Sequence, residues 1–188
     1  MSTGAIIGIV IGVVVLLTVV WGISTYNGFV KMRNRVQEAF STMDVYLKKR
    51  FDLIPNLVET VKGYAAHESE TLQKVTEARS AISNADSVEE RIAGENMISG
   101  ALKSLFAVSE SYPDLKANAN FMELQGQLNT VENDIASSRK YYNAVVREYN
   151  TKQEMFPANI IGNMMHLERA NMFEVEGEEE RRNVNVKF

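Results

Sequence analysis

The sequence predicts an all-α protein in which an N-terminal transmembrane helix precedes an antiparallel, up-down bundle of long helices. Three observations predict this fold class. Residues 6–23 form an uncharged apolar run, apolar residues after Tyr26 recur at spacings of three and four, and the 188 residues include only 3 prolines. Such spacing places apolar side chains on one helix face, whereas strands require alternation. We assign residues 1–25 to the N-terminus and membrane helix, 26–172 to the bundle and 173–188 to an acidic, flexible tail.

The apolar run has the length of a membrane span. About 18 residues rising 1.5 Å each give roughly 27 Å, the thickness of a hydrocarbon core. Trp21 and Tyr26 stand where interfacial aromatic residues are common. A cleaved signal peptide is the alternative, but it needs a basic segment before the apolar core and a small-residue cleavage site after it. The sequence has neither, because residues 1–4 carry no Lys or Arg and Trp21 lies at the exit. We therefore expect a retained single-pass anchor.

The basic residues next to the span predict its orientation. Lys31, Arg33 and Arg35 follow the apolar run, and no Lys or Arg precedes it. The positive-inside rule then places the N-terminus outside and the bundle in the cytoplasm of a cell-membrane protein. The absence of cysteine agrees with a reducing compartment. Translocation of the whole bundle is the alternative.

Glycine recurs at every fourth position of the span, at Gly4, Gly8 and Gly12. Small residues at this spacing let two membrane helices approach closely. The stripe therefore predicts self-association into a homo-oligomer. The alternative is that these glycines have no packing role, since glycine is common in membrane helices.

The first soluble segment predicts one long helix that extends to Ile82. Its apolar stripe is interrupted by two polar positions, Arg50 and Glu68. Pro55 lies inside the pattern and predicts a kink or a break, because proline removes a helical hydrogen bond and clashes with the preceding turn. The pattern resumes in phase after Pro55, which favours the kink. The stripe comprises Val36, Phe40, Met43, Leu47, Ile54, Leu57, Val61, Ala65, Leu72, Val75 and Ile82.

Three further helices follow. A second helix should begin after the turn at 83–87, with Ser87 and Glu90, or Asp86 and Glu89, forming a capping box, and should end before Pro113. The third helix is expected from about residue 118 to 153, on a stripe without a fault. The fourth is expected over residues 158–171. The third stripe comprises Phe121, Leu124, Leu128, Val131, Ile135, Ser138, Tyr142, Val145 and Tyr149. Short connections between such helices favour antiparallel neighbours.

The sequence offers little that predicts chemistry. The net charge of -4 does not suggest nucleic-acid binding. The only histidines are His67 and His166, and the His67–Glu68 pair lacks the second histidine of a zinc-protease helix because position 71 is Thr. We therefore expect neither an enzyme nor a cofactor or metal site.

Two tyrosine–asparagine pairs lie one heptad apart, Tyr142–Asn143 and Tyr149–Asn150. Both tyrosines fall on one helical face. They either fill a wide layer of the bundle with the hydroxyl at its edge, or line a polar groove that accepts a partner helix or peptide. Both alternatives stay open on the sequence.

Four blocks of sequence run from Tyr26 to Phe40, from Arg50 to Glu68, from Tyr112 to Phe121, and from Glu132 to Pro157. These blocks resemble the LemA family, and the resemblance covers almost the whole chain, although Phe40 stands where the family often has tryptophan. The resemblance implies one N-terminal membrane helix, an outside N-terminus, an antiparallel helical bundle and a largely undefined biochemical role. One relative takes part in building magnetosome membranes.

The function predicted from these features is that of a non-enzymatic bacterial membrane scaffold. It would self-associate and organise unidentified protein partners at the lipid bilayer. The alternative is an accessory or sensor subunit whose bundle binds a peptide or a membrane protein such as a membrane protease.

Overall fold

The computed structural model describes residues 2–173, and within that range it is all-α with no strand. Its helices are α1 (Thr3–Lys62), α2 (Ser69–Ser83), α3 (Val88–Ser109), α4 (Pro113–Lys116), α5 (Ala119–Glu154) and α6 (Ala158–Met164). The chain divides into two compact units. Residues up to 42 and 140–172 form unit 1, and residues 43–139 with Phe173 form unit 2. The acidic tail from residue 174 lies outside the described residues, and the domain boundaries at 25 and 172 stay predictions.

Unit 2 is an up-down bundle of four helices. Arg50 on α1 bonds Glu132 on α5, whereas Tyr64 just past α1 bonds Asn118 just before α5, so the two helices are antiparallel. Arg79 on α2 stacks over the Phe51 ring of α1 at 4.2 Å. The buried core is continuous through these helices. It includes Ile54, Leu57, Val61, Val75, Ile98, Leu105, Leu115, Phe121 and Leu128.

The prediction of one helix to Ile82 is wrong, because the chain leaves the helix after Lys62 and α2 begins at Ser69. Gly63 was the available signal, since glycine commonly ends helices. The turn lets α2 fold back on α1, so that Leu72, Val75 and Ile82 are buried in the same core. The first of the four predicted helices is thus two helices, and the short α4 brings the helices of the described residues to six.

Pro55 lies inside α1, so the alternative of a break there is wrong. Proline costs one backbone hydrogen bond, but Ile54 and Leu57 on either side are each at most 1% exposed and hold this turn in the core. The kink stays a prediction.

At the start of α3, Ser87 is the N-cap and pairs with Glu90 as one predicted capping box has it, but the Glu90 carboxylate reaches the residue before the cap. Ser87 accepts a hydrogen bond of 3.1 Å from the Glu90 N–H, and the Glu90 carboxylate accepts from the Asp86 N–H at 2.9 Å. Nearby, α2 and α3 approach so closely that a Cβ added to Gly94 would lie 2.9 Å from a side-chain carbon of Ile82. Only glycine allows this contact without rearrangement.

Helix α6 ends at Met164 and not near residue 171 as predicted. The Leu167 N–H bonds the Gly162 carbonyl at 3.2 Å, and the His166 N–H bonds the Asn163 carbonyl at 3.1 Å. His166 has φ 49°, so these bonds form a Schellman cap with histidine at the position that glycine usually occupies. A histidine gives no sequence signal for this ending.

Candidate functional site

Side chains of α5 in unit 1 bind the main chain of the segment that follows α6. We call Tyr142, Tyr149, Asn150 and Gln153 the polar row. The Tyr142 hydroxyl donates to the Asn171 carbonyl at 2.8 Å, and the Tyr149 hydroxyl donates to the Glu168 carbonyl at 3.3 Å. The Gln153 amide also donates to the Glu168 carbonyl, at 3.0 Å. All three of these bonds are accepted by backbone carbonyls of residues 168 and 171.

Asn150 is the residue of the polar row that both donates a hydrogen bond to, and accepts one from, the same backbone residue. Its Nδ2 donates to the Ala170 carbonyl at 2.9 Å, and its Oδ1 accepts from the Ala170 N–H at 2.9 Å. A carboxamide carries one acceptor and a donor group side by side, which is the pattern that a backbone residue also presents. Asn150 thus pairs with Ala170 as a neighbouring strand residue would.

The heptad spacing explains why these side chains share one face. Tyr142, Tyr149 and Asn150 are 4%, 5% and 5% exposed, and Asn143 is half-buried. The Phe40 ring of α1 meets the Tyr142 ring edge to face, with centroids 5.8 Å apart. The two tyrosines therefore fill layers between helices while their hydroxyls reach residues 168–171. Capture of a partner by this groove stays a prediction, because the chain itself lies on the polar row.

Burial raises the pKa of the Tyr149 phenol, and a hydrogen bond with Gln153 and the charge of Arg33 partly offset this rise. The phenol consequently stays protonated at neutral pH and remains a donor to Glu168. Chemically, the polar row is suited to holding an extended segment. Among residues 2–173 no cluster of three or more His, Cys, Asp or Glu side chains could hold a metal ion.

The predicted glycine stripe lies on the apolar part of α1. A Cβ added to Gly4, Gly8 or Gly12 would meet nothing within 4 Å, so this face is open within the chain. The apolar side chains between residues 6 and 23 are exposed, and α1 is one helix long and apolar enough to cross a membrane. Length and composition support this reading of the span.

A buried ion cluster in unit 2 was not predicted from the sequence. The Arg50 guanidinium is fully buried and bonds the Glu95 carboxylate, the Glu95 carbonyl at 3.1 Å, the Ser99 hydroxyl at 2.7 Å and Glu132 at 2.6 Å. Glu95 is itself 1% exposed. Arg50 stands on the apolar stripe of α1, and Glu95 lies three residues before the buried Ile98 on α3. Opposite charges on two apolar faces were the signal for this pair.

The cluster continues at one side of the bundle. Arg91 contacts Glu95 at 3.4 Å along α3 and Asp44 of α1 at 2.5 Å. Through Arg91 and Arg50 the ion cluster therefore links α1, α3 and α5. Removing one partner of a buried ion pair is strongly destabilising, because it leaves the other charge buried without compensation. We assign the cluster a structural role.

Comparison with known proteins places the chain in a family. The family model described as LemA family matches residues 39–188, which is more than half of the chain. The chain is 29% identical over 152 residues to Protein LemA of Metamycoplasma hominis, covering 79% of this chain and 68% of that protein. It is 27% identical over 192 residues to Magnetosome protein MamQ 2 of Paramagnetospirillum magneticum, covering 86% and 71%. On the strength of the match to the family model, the chain belongs to the LemA family.

Proposed function

We propose that this protein is a non-enzymatic scaffold of the bacterial cell membrane, which self-associates and organises protein partners at the bilayer. The observation that carries the proposal is the continuity of α1. The same helix supplies the exposed apolar span and the buried residues Phe29 and Ala39 of unit 1. Unit 1 therefore shares one helix with the anchor, and its buried residues are held next to the membrane end of α1, as a membrane scaffold requires. The likeness to magnetosome proteins supports a role at a membrane.

Self-association would use the open glycine stripe of α1. Small residues on one face let backbones of two membrane helices pack closely, and larger side chains there would separate them. We expect the full-length protein in detergent to be an oligomer, and Gly8→Leu to dissociate it. Val10→Leu is the matched control, because Val10 lies about 200° around the helix from Gly8.

Molar mass from light scattering during size exclusion tests this expectation. An oligomer that dissociates with Gly8→Leu, but not with Val10→Leu, supports the proposal. A strict monomer at high protein concentration would contradict it. An oligomer that persists in Gly8→Leu would still agree with a scaffold, but it would show that the copies do not meet through the glycine stripe.

The second candidate is an accessory subunit that binds a peptide or a membrane protein. The polar row favours it, since its four side chains hold main-chain atoms of an extended segment and could hold those of a partner. Crosslinking in membranes separates the two candidates. A scaffold should recover mainly itself, whereas an accessory subunit should recover one other protein, and Asn150→Ala should change that yield.

A further inference from the structure

A corner of unit 1 exposes four apolar side chains beyond those of the membrane span. Phe156 is 79% exposed, Met164 73%, Met155 59% and Ile160 49%. Met155 and Phe156 directly follow α5, and Ile160 and Met164 lie on α6. Exposed apolar groups that cluster in this way mark a surface that binds something. We call these four residues the α5–α6 corner.

The helices of unit 1 bring this corner close to the membrane end of α1. Phe40 packs on Tyr142, Arg35 pairs with Glu148, and Lys152 lies against Gly28. Residue numbers thus rise along α5 as they fall along α1, so the two helices are antiparallel. Met155 and Phe156 continue this progression and lie level with about residues 24–26 of α1, since both helices rise equally per residue.

That level coincides with the boundary of the bilayer. The apolar run ends at Ile23, and five residues to Gly28 correspond to roughly 7.5 Å. The polar interface of one leaflet is about 5–8 Å thick. The α5–α6 corner therefore lies at the depth at which amphipathic elements lie in a membrane surface.

The packing of α6 directs its apolar side chains away from the protein. A Cβ added to Gly162 would lie 3.5 Å from the Phe29 ring, so the Gly162 side of α6 faces α1. Ile160 and Met164 stand two residues to either side of Gly162. They therefore point about 160–200° away from that contact. One face of α6 is packed on protein and the opposite face is apolar and uncovered.

The charges near the corner suit a lipid surface. Lys152 lies over the Phe29 ring, with Nζ 5.2 Å from its centroid, and Lys31 and Arg33 are exposed on the neighbouring part of α1. The acidic Glu154 is paired with Arg169 at 3.1 Å. Basic side chains at this level attract anionic lipid headgroups.

We propose that the α5–α6 corner inserts into the interface of the same bilayer that α1 crosses, as a second membrane contact. This inference rests on the proposed membrane anchor. The lipid would cover Met155, Phe156, Ile160 and Met164, and the corner would limit how α1 tilts. The occupant is lipid and not a second copy, because the corner lies level with the end of the apolar span and has basic side chains beside it.

Nitroxide labels on single cysteines test the proposal, since the chain has no other thiol. The full chain is reconstituted in vesicles of phosphatidylcholine and phosphatidylglycerol with Phe156→Cys or Met164→Cys. Val14→Cys reports the anchor. Ala144→Cys is the aqueous control, exposed on α5 and roughly 18 Å from position 156. Power saturation compares collision with oxygen, which enriches in lipid, against a water-soluble nickel chelate.

We expect oxygen to dominate at positions 14, 156 and 164, and the nickel chelate to dominate at 144. If the labels at positions 156 and 164 collide with the nickel chelate as readily as the label at 144, while the label at 14 stays in lipid, the inference is overturned and the anchor stands. Nickel access at position 14 would overturn the anchor and the inference together. If the labels at 156 and 164 collide little with either reagent, and their spectra are broadened by a label on another molecule, a second copy covers the corner and the lipid contact is overturned.

Discussion

Asn150 and Ala170 are joined by two reciprocal hydrogen bonds of 2.9 Å, one in each direction. The carboxamide of Asn150 is 5% exposed, so few water molecules compete for either bond. This pair holds the extended segment after α6 on the polar row. Its loss should free that segment while the helices remain.

Asn150→Ala should therefore cost about 1–3 kcal/mol, because it removes two partly buried hydrogen bonds of about 0.5–1.5 kcal/mol each. Hydrogen exchange should quicken at the Ala170 amide and stay slow in α2 and α3. Asn133→Ala is the matched control, since Asn133 is exposed on the same helix. Unchanged exchange at Ala170 would contradict a restraining role for Asn150.

Tyr149 should make this restraint sensitive to alkaline pH. Its folded-state pKa is raised above the usual value of about 10, chiefly by burial, so the neutral phenol is favoured in the fold. The contribution to stability is complete below pH ~10 and is lost as pH rises through the folded pKa. Thermal melting from pH ~9 to ~12 should show an extra loss that Tyr149→Phe lacks. Ionisation of Tyr149 below the range of free tyrosine would contradict this.

The ion cluster of unit 2 should be costly to break from one side. Arg50→Met leaves Glu95 buried with only Arg91 near it, and should destabilise by about 3–5 kcal/mol. The double variant Arg50→Met/Glu95→Leu should recover part of that loss, since no buried carboxylate then remains at position 95. Thermal melting by circular dichroism measures both.

Lys74→Met provides the control for the ion cluster, because Lys74 pairs with Glu70 on an exposed face of α2. It should leave the melting temperature almost unchanged, because an exposed ion pair is screened by water and contributes little. A double variant no more stable than Arg50→Met would show that the desolvation of Glu95 is not the cause.

Pro55→Ala should keep the fold and leave helicity equal or higher. Alanine restores the backbone N–H that proline lacks, inside a helix that already continues to Lys62. We expect a melting temperature at or above that of the parent. A lower melting temperature would mean that the ring of Pro55, which is half-buried, packs in a way that alanine cannot replace.

The bundle should lie in the cytoplasm if charge sets the orientation of α1. Ser137→Cys places a single thiol on an exposed position of α5. A membrane-impermeant maleimide should label it only after the cells are opened. Replacing Lys31, Arg33 and Arg35 with Gln, and placing Lys at positions 2 and 3, should weaken or invert the orientation. Prompt labelling of the parent in intact cells would put the bundle outside.

The spacing of the apolar residues was enough to predict the all-α fold class. The stripe of α5 predicted a helix that ends within a residue or two of the observed one, because each turn buries its own apolar group. The turn at 63–68 was missed because the apolar spacing continues in phase from Val61 to Leu72. The end of α6 was missed because His166, and not glycine, takes the left-handed position.

The heptad spacing of Tyr142 and Tyr149 predicted that both tyrosines lie on one helical face, but it indicated neither Gln153 nor the segment that these side chains hold. Residues 168–171 have no periodic signal, and the polar row bonds their main-chain atoms, which every sequence offers. Arg50 was recognised as a polar residue on an apolar stripe. Its partners Glu95 and Glu132 lie on other helices, so their meeting depends on a register that a single helix does not specify.

The continuity of α1 also sets a rotational phase. No loop separates Gly8 from Phe29, so these two side-chain positions differ by a fixed angle of about 60° around the helix. Phe29 faces α6 and Lys152. If two copies met through their glycines, the direction in which α5 lies from each α1 would therefore be fixed as well. One alanine inserted between residues 24 and 28 would turn that direction by about 100°. The relative orientation of the two copies would then depend on the number of residues between Gly8 and Phe29, and not on any contact outside the membrane.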